Sequence, residues 1–209
     1  MTITTRPRET TVETTLVSLT TAEEFGRLPE TNRICELING EIVVAPAPRT
    51  KHRLALGNLY EAFQAFLRRG ELGLAFAAPF DVHLSSYEVY QPDIVVVLSG
   101  RASQLTEDGF EGTPDVVVEV LSPSNRKQDL VVKAAEYAAA GVPEYWVVDP
   151  ADDRIEVNLL VGGAYSAVPS ADGFARSAVL PGLAVAPAAV FAMPAWMAPP
   201  SASAEKGEG

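Results

Sequence analysis

The sequence contains one cysteine, two histidines and no long uninterrupted apolar run, and these shortages exclude several classes of protein. With Cys35 alone, the chain cannot form an internal disulfide or a metal site built from several cysteines. The lone thiol fits a reducing compartment, so a cytoplasmic location is expected. Segment 177–204 is uncharged and long enough to span a bilayer, but five prolines interrupt it. We therefore predict that it covers the core and does not cross a membrane.

Positive charge is also scarce, because 16 Lys and Arg stand against 27 Asp and Glu, which gives a net charge of −11. A protein this acidic is not expected to coat nucleic acid without regard to sequence, since that mode needs excess cations against phosphates. Six of the 16 cations nevertheless fall in two short segments, 49–53 and 126–133. If the segments meet in space, they form one local basic patch on an acidic protein. The six cations are Arg49, Lys51, Arg53, Arg126, Lys127 and Lys133.

Several familiar catalytic motifs are missing from the sequence. It contains no glycine-rich phosphate loop of the G-x-G-x-x-G or Walker type, no G-x-S-x-G nucleophile motif and no H-E-x-x-H zinc motif. Ser122 and Ser124 have no obvious histidine partner, so a serine nucleophile is not expected. Nucleotide-binding, serine-hydrolase and zinc-protease chemistry are therefore not indicated.

Apolar residues make up 47% of the chain, which is enough to build a real core. A chain of 209 residues suits one α/β domain with tails. We predict a single domain over about 18–192, a disordered N-terminal segment at 1–17 and a disordered Ala/Pro-rich tail at 193–209.

Local patterns predict a mixture of helices and strands. Thr21 and Glu24 form a capping box at the start of a short helix that ends near Leu28. Two apolar runs around Asn39 and Gly40 predict a hairpin with a tight turn. The further predictions are a helix at 51–69 closed by Gly70, strands at 74–84, 93–98, 115–121 and 144–148, a helix at about 126–140, and a hairpin at 154–168.

Two of these strands, 93–98 and 115–121, are continuous Val-rich runs, which are typical of central strands covered on both faces. The order of elements is neither the regular alternation of a doubly wound fold nor an all-β sandwich. The sequence therefore predicts an α/β fold with a mixed, twisted central sheet flanked by helices and preceded by an N-terminal hairpin.

Acidic residues in the two central strands carry the strongest chemical signal. Asp93 opens one strand and Glu119 lies late in the next, where an acid is costly to bury unless it is paired or metal-bound. Asp115 points to the same face as Glu119 but lies about 13 Å away along the strand. If the strands are neighbours, Asp93 and Glu119 could converge. Two carboxylates with water then make a site that suits Mg²⁺.

Three further residues could act with this pair of acids. Lys133 lies on the helix after Glu119 and could reach back to stabilise charge on a phosphate; alternatively, it forms a surface pair with Asp129. His52 lies at a helix start among three cations, where phosphates are attracted. Glu36 could be a metal ligand or could orient water. For His52 and Glu36, the pattern leaves open a plain solvent-exposed position.

Several segments resemble the Uma2 family of restriction endonuclease-like proteins, which is also described as a bacterial domain of unknown function. The resemblance spans about residues 18–192. It depends on Glu36-Leu-Ile-Asn-Gly-Glu41, His52, Gln91-Pro-Asp93-Ile-Val-Val, the segment 114–124, Lys133 and the segment 137–150.

This resemblance implies the PD-(D/E)xK nuclease fold, in which the motif acids bind Mg²⁺ and a lysine acts on the water and the phosphate. Asp93 matches the first acid and Glu119 the second. The usual E-x-K spacing falls on Leu121, and the resemblance moves the lysine onto the following helix, where Lys133 fits. Glu36 and His52 match further polar positions of the family.

The sequence therefore predicts an endonuclease that hydrolyses DNA phosphodiester bonds with Mg²⁺ or Mn²⁺. Asp93 and Glu119 would hold the metal, and Lys133, Glu36 and His52 would complete the catalytic set. A homodimer is expected, because cutting both strands of a duplex needs two sites related by symmetry. The alternative is a catalytically inactive nuclease fold that binds or regulates, which the charge of −11 favours. A purely structural role for the two acids also stays open.

Overall fold

The computed structural model describes residues 19–197, except residues 30, 32, 46, 125 and 171. The predicted disordered ends lie outside the described residues apart from 193–197, of which Ala195–Met197 form a 3-10 turn. In chain order the elements are α1 (Ala22–Gly26), β1 (Cys35–Ile38), β2 (Glu41–Val44), α2 (Thr50–Gly70), β3 (Gly73–Ala77), β4 (Val82–Ser85), β5 (Glu88–Tyr90), β6 (Ile94–Leu98), a 3-10 helix (Ser99–Gln104), β7 (Phe110–Glu111), β8 (Val116–Val120), a π-helix (Gln128–Lys133), α3 (Ala134–Ala139), β9 (Glu144–Asp149), β10 (Arg154–Val161), β11 (Ala164–Ala167), β12 (Ala175–Arg176), β13 (Ala184–Val185) and α4 (Pro187–Val190).

Two larger sheets form the framework of the described residues. The first has six strands in the order β11-β10-β9-β8-β6-β3, and within it β8 and β9 are parallel while the other neighbours are antiparallel. The second has five strands in the order β2-β1-β5-β4-β7. The predicted mixed α/β architecture is thus confirmed, and the N-terminal hairpin is part of the second sheet.

The long helix α2 packs on the six-stranded sheet through the apolar stripe that its sequence predicts. Leu59, Phe63 and Leu67 are fully buried, and the Phe63 ring meets the Trp146 ring of β9 edge-on with centroids 5.2 Å apart. Each buried side chain of this size contributes about 1.5–3 kcal/mol of transfer free energy. This contact anchors the second half of α2 on the central strands of the sheet.

Two boundaries differ from the sequence predictions. The predicted strand at 74–84 is two strands, because β3 pairs with β6 in the first sheet and β4 pairs with β5 in the second. Pro79 lies between them and has no N–H with which to continue a ladder. Helix α2 includes Gly70, and Glu71 takes the left-handed conformation that closes it, with φ 51°.

The uncharged C-terminal segment covers the core over the part that the structure describes. Leu183, Val185 and Val190 are buried with residues of α2 and the first sheet. The side-chain amide of Asn58 in α2 donates to the Val190 carbonyl at 2.9 Å. Among the described residues, no helix combines the length and the apolar character that a bilayer crossing requires.

The N-terminal hairpin, which carries Glu36, depends on a glycine in a tight place. Gly40 has φ +74°, and a Cβ there would lie 2.6 Å from the Leu19 Cβ. Gly162, in the other hairpin, has φ +61° with open space around it. We expect Gly162→Ala to cost about 1 kcal/mol from backbone strain alone and Gly40→Ala about 2–3 kcal/mol, since the clash adds to that strain. Urea unfolding of both variants tests this, and equal losses would contradict the close packing of Leu19.

Candidate active site

The two strand acids meet because their strands are neighbours. β6 and β8 pair antiparallel with Ile94 opposite Val118, so the start of β6 lies beside the end of β8. Asp93 directly precedes β6, and its Oδ2 accepts the Val120 N–H at 2.7 Å. This hydrogen bond ties the first acid to the backbone immediately after Glu119.

Five side chains predicted from the sequence line one cleft at this point, although they come from five separate parts of the chain. The cavity has a volume of about 40 Å³, which is room for a few water-sized ligands. The five residues are Glu36 from β1, His52 from α2, Asp93 before β6, Glu119 from β8 and Lys133 from the π-helix.

Lys133 is buried between two carboxylates. Its Nζ lies 2.8 Å from Glu36 Oε1 and 3.0 Å from Glu119 Oε1, and its side chain is 6% exposed. The alternative of a surface pair with Asp129 is wrong, because both residues are buried. Burial by itself lowers the pKa of the ammonium, but Glu119, Glu36 and Asp129 together raise this pKa above its ordinary value. Lys133 is therefore a permanent cation in the cleft.

Glu119 is held by two donors at one oxygen. The Tyr137 hydroxyl donates to Glu119 Oε1 at 2.7 Å, alongside the Lys133 ammonium. Burial raises the pKa of Glu119 well above its ordinary value; Lys133 opposes this shift, and Asp129 and Asp93 reinforce it. Without a further cation, this carboxyl group keeps its proton to a higher pH than an exposed glutamate does.

His52 packs against the first acid and is not an exposed residue at the helix start. Its Nε2 lies 3.3 Å from Asp93 Oδ2, and its side chain is 10% exposed. Its Nδ1 is buried without a hydrogen-bond partner among the described residues. The imidazole therefore helps to orient the Asp93 carboxylate.

Asp129 is a further acid of the cleft that the sequence reasoning did not select. Its Oδ1 is buried with no hydrogen-bond partner among the described residues, 3.7 Å from the Lys133 Nζ. Burial raises the pKa of Asp129 to about 6; Lys133 opposes this shift, and Asp93 and Glu36 reinforce it. The four-residue spacing to Lys133 is visible in the sequence, but the spacing does not reveal that the pair is buried.

A π-helical segment carries both Asp129 and Lys133 into the cleft. The sequence predicts an ordinary helix over 126–140, whereas Gln128–Lys133 is π-helical and continues directly into α3. A π-helix has wider turns than an α-helix and is frequent at functional sites. At the start of this segment, the Tyr145 hydroxyl donates to the Asp129 carbonyl at 3.0 Å, which helps to fix the irregular turn.

The donor set of the cleft fits a hard divalent cation. Four carboxylates face one lysine, so the cleft carries excess negative charge that a cation would balance. In Asp93, Glu119 and Glu36 the hydrogen bonds and ion pairs converge on a single oxygen of each group. Over the described part of the chain, no three His, Cys, Asp or Glu side chains are placed so that together they could hold a metal ion. A cation here would thus keep several waters, as Mg²⁺ does.

The expected basic patch is smaller than the sequence predicted. Lys133 belongs to the carboxylate cluster and is not available at the surface. The guanidinium of Arg126 lies 2.5 Å from Asp149, and the Lys51 ammonium lies 2.8 Å from Asp153. The two cationic segments do meet in space, but acids neutralise much of their charge.

The raised pKa of Asp129 has a measurable effect on stability. A carboxyl group whose pKa is about 6 in the folded protein and about 4 when unfolded stabilises the fold below pH 4, and this stabilisation disappears as the pH rises through 6. We therefore expect the free energy of unfolding of the wild type, relative to Asp129→Asn, to fall by about 2–3 kcal/mol between pH 4 and pH 7. Urea unfolding in EDTA measures this, and a difference that does not change with pH would contradict the burial of Asp129.

Comparisons with known proteins identify a matching family model and a solved structure with the same fold. The sequence model of Uma2, described as "Putative restriction endonuclease", matches residues 22–190, which include all five predicted site residues. Among solved structures, the 1.96 Å crystal structure of a putative nuclease belonging to DUF820 from Anabaena variabilis ATCC 29413 matches with a TM-score of 0.70 and 22% identity, over 82% of this chain and 97% of that chain. This likeness shows a shared fold. No protein of curated function matches the chain.

Proposed function

The chain belongs to the Uma2 family, and from this premise we propose that it is a metal-dependent nuclease that hydrolyses DNA phosphodiester bonds in the cleft around Asp93 and Glu119. The observation that carries the proposal is the meeting of two strand acids and a buried ammonium, with Lys133 Nζ 3.0 Å from Glu119. Metal-dependent hydrolysis of a phosphodiester requires carboxylates that bind the cation and a fixed positive charge that stabilises the phosphate.

Mg²⁺ or Mn²⁺ is the proposed cofactor, and Asp93 and Glu119 are the residues that would hold it. When bound, the cation would neutralise phosphate charge and lower the pKa of the attacking water. The buried Asp129 Oδ1, which accepts no hydrogen bond from the described residues, adds to the negative field that attracts a cation to this cleft.

The other side chains have separate roles in this proposal. Lys133 would stabilise the negative charge that develops on the phosphate, and its neighbouring carboxylates keep it protonated for that purpose. Glu36 would orient the attacking water, and His52 would hold Asp93 and contact the phosphate. Water adds to phosphorus, one P–O ester bond breaks, and a proton from the water ends on the leaving oxygen.

Incubation with supercoiled plasmid tests the proposal. We expect nicking in Mg²⁺ and in Mn²⁺ and none in EDTA, and calorimetry should show Mn²⁺ binding to the purified protein. Cleavage that persists in EDTA would contradict the metal requirement. Failure to bind Mn²⁺ and to cleave any form of DNA would overturn the proposal. Sedimentation tests the expected homodimer separately.

A second candidate is a nuclease fold that binds or regulates without cleaving. The net charge of −11 favours it, as does the lack of a complete metal-ligand set among the described residues. This candidate predicts that neither Mg²⁺ nor Mn²⁺ changes the protein or any DNA added to it. Mn²⁺ calorimetry therefore separates the two candidates before any substrate is known.

A further inference from the structure

A second cavity opens beside the candidate active site, and we call it the side cavity. Its volume is about 360 Å³, and it lies between the start of α2, the loop after β8 and the loop after β9. His52 and Ser122 line both the side cavity and the catalytic cleft, so the two spaces adjoin. A molecule in the side cavity would therefore lie next to whatever occupies the cleft.

The walls of the side cavity are mainly apolar. Leu121 and Pro123 line it from the loop after β8, and Pro150 and Ala151 line it from the loop after β9. Aliphatic and proline side chains of this kind pack well against the flat face of an aromatic ring. Its volume is of the order that one nucleoside needs, whereas a base pair stacked within a duplex has no means of entering it.

Three cationic side chains line the edge of the side cavity, which we call its rim. Arg49, Lys51 and Arg126 line the side cavity. The Arg126 guanidinium is anchored by Asp149, whose side chain is 3% exposed and which also accepts the Ala151 N–H at 3.0 Å. A guanidinium that is already held in place loses less conformational entropy when it binds a phosphate. Its remaining N–H groups can donate to phosphate oxygens.

We propose that the side cavity binds one unpaired nucleotide next to the bond that is cut, so that the preferred substrate is single-stranded or locally unpaired DNA. The inference rests on the proposed function and names its substrate class. A base in a duplex must be unstacked and unpaired before it can enter such a pocket. The small number of free cations also favours a single-stranded substrate. Duplex binding relies on many cations spread along the phosphates, whereas two of the three cations that line this cavity are already paired with acids.

Filling the cavity is the direct test. In EDTA, we expect a fluorescent single-stranded oligo(dT) to bind the wild type more tightly than the same strand in a duplex with oligo(dA). Ala151→Leu should weaken single-strand binding about tenfold, since the added side chain occupies the space of the base, and Ala151→Phe should do the same. Ala164→Phe adds the same side chain at an exposed position of β11, outside the cavity, and should change nothing. Ala151→Leu is the decisive variant, because leucine fills the cavity without offering an aromatic face on which a base could stack.

The rim offers a second, matched pair of variants. Arg49 immediately precedes α2 and Arg53 lies one turn later in the helix. Both are exposed, but only Arg49 of the two lines the side cavity. Arg49→Gln should weaken oligo(dT) binding and reduce its salt slope by about one, as expected for a lost phosphate contact. Arg53→Gln removes the same charge and should leave both quantities near the wild-type values.

The outcomes separate the two proposals. Equal binding of single strand and duplex by the wild type, or unchanged oligo(dT) binding by Ala151→Leu, would overturn the side-cavity proposal even if plasmid is nicked. Because binding is measured without metal, a protein that fails to cleave but shows the predicted contrast between variants would lose the nuclease function and keep the nucleotide site.

Discussion

Replacing Asp93 with asparagine is expected to reduce metal-dependent DNA cleavage about a thousandfold or more, with the protein still folded. Asparagine keeps an oxygen that can accept the Val120 N–H, so the hydrogen bond at 2.7 Å survives. The variant loses one of the two carboxylates proposed to hold the cation, and the charge stabilisation lost with it is worth several kcal/mol. Plasmid nicking and Mn²⁺ calorimetry measure the two effects.

Asp115 offers a matched control for this variant. It is also a buried acid beside β6 and β8, and its Oδ2 accepts the Leu98 N–H at 2.8 Å. It lies at the other end of these strands, where it pairs with Arg101 and not with the cleft. Asp115→Asn should therefore lower stability but leave Mn²⁺ binding and cleavage per folded molecule unchanged. If both variants lost activity equally, Asp93 would have only a structural role.

Replacing Lys133 with methionine is expected to lower the free energy of unfolding by about 3–5 kcal/mol at pH 7, because it leaves buried carboxylates without their cation. Glu36 and Glu119 lie 2.8 and 3.0 Å from the ammonium, and both are nearly inaccessible to water. The loss should shrink as the pH falls, starting above the ordinary range of a glutamate, because burial already raises the pKa of Glu119 and removing the ammonium raises it further. Urea unfolding at several pH values in EDTA tests this prediction.

Lys51→Met is the matched control for the lysine variant. The Lys51 ammonium lies 2.8 Å from Asp153, but both side chains are largely exposed. An exposed pair is worth about 0–1 kcal/mol, so this variant should be nearly as stable as the wild type. Adding Glu36→Gln to Lys133→Met should recover part of the loss, since it removes one uncompensated charge. Similar losses for Lys51→Met and Lys133→Met would contradict the buried cluster.

Much of the local structure follows from patterns a few residues long. The capping box of Thr21 and Glu24 forms as predicted, and Asn39 and Gly40 both take the positive φ that their hairpin turn requires. The valines of the two Val-rich strands are buried, and both strands lie inside the six-stranded sheet. The strand predicted across Pro79 is wrong: the proline is a local sign that the ladder breaks, but only the tertiary structure shows that the two parts pair in different sheets.

In the candidate site, the sequence predicts which residues take part but not their burial or their contacts. The resemblance to Uma2 selects Asp93, Glu119 and Lys133 by type and order. The spacing of Asp129 and Lys133 is equally compatible with an ion pair at the surface. The structure excludes a surface pair because both side chains are buried. The four-residue spacings of Asp129 and Tyr137 from Lys133 can be read from the sequence, but their contacts with the acid cluster cannot.

The sequence by itself determined which residues are available and which short elements they form, because turns, caps and apolar periodicity depend on neighbours along the chain. The tertiary structure alone decided that residues as distant as Glu36 and Lys133 share one cleft, that a π-helix directs Lys133 inward, and that a side cavity adjoins the site. Burial and ion pairing depend on contacts between distant segments. The charge and chemistry of the cleft therefore exist only once the sheets and helices have packed.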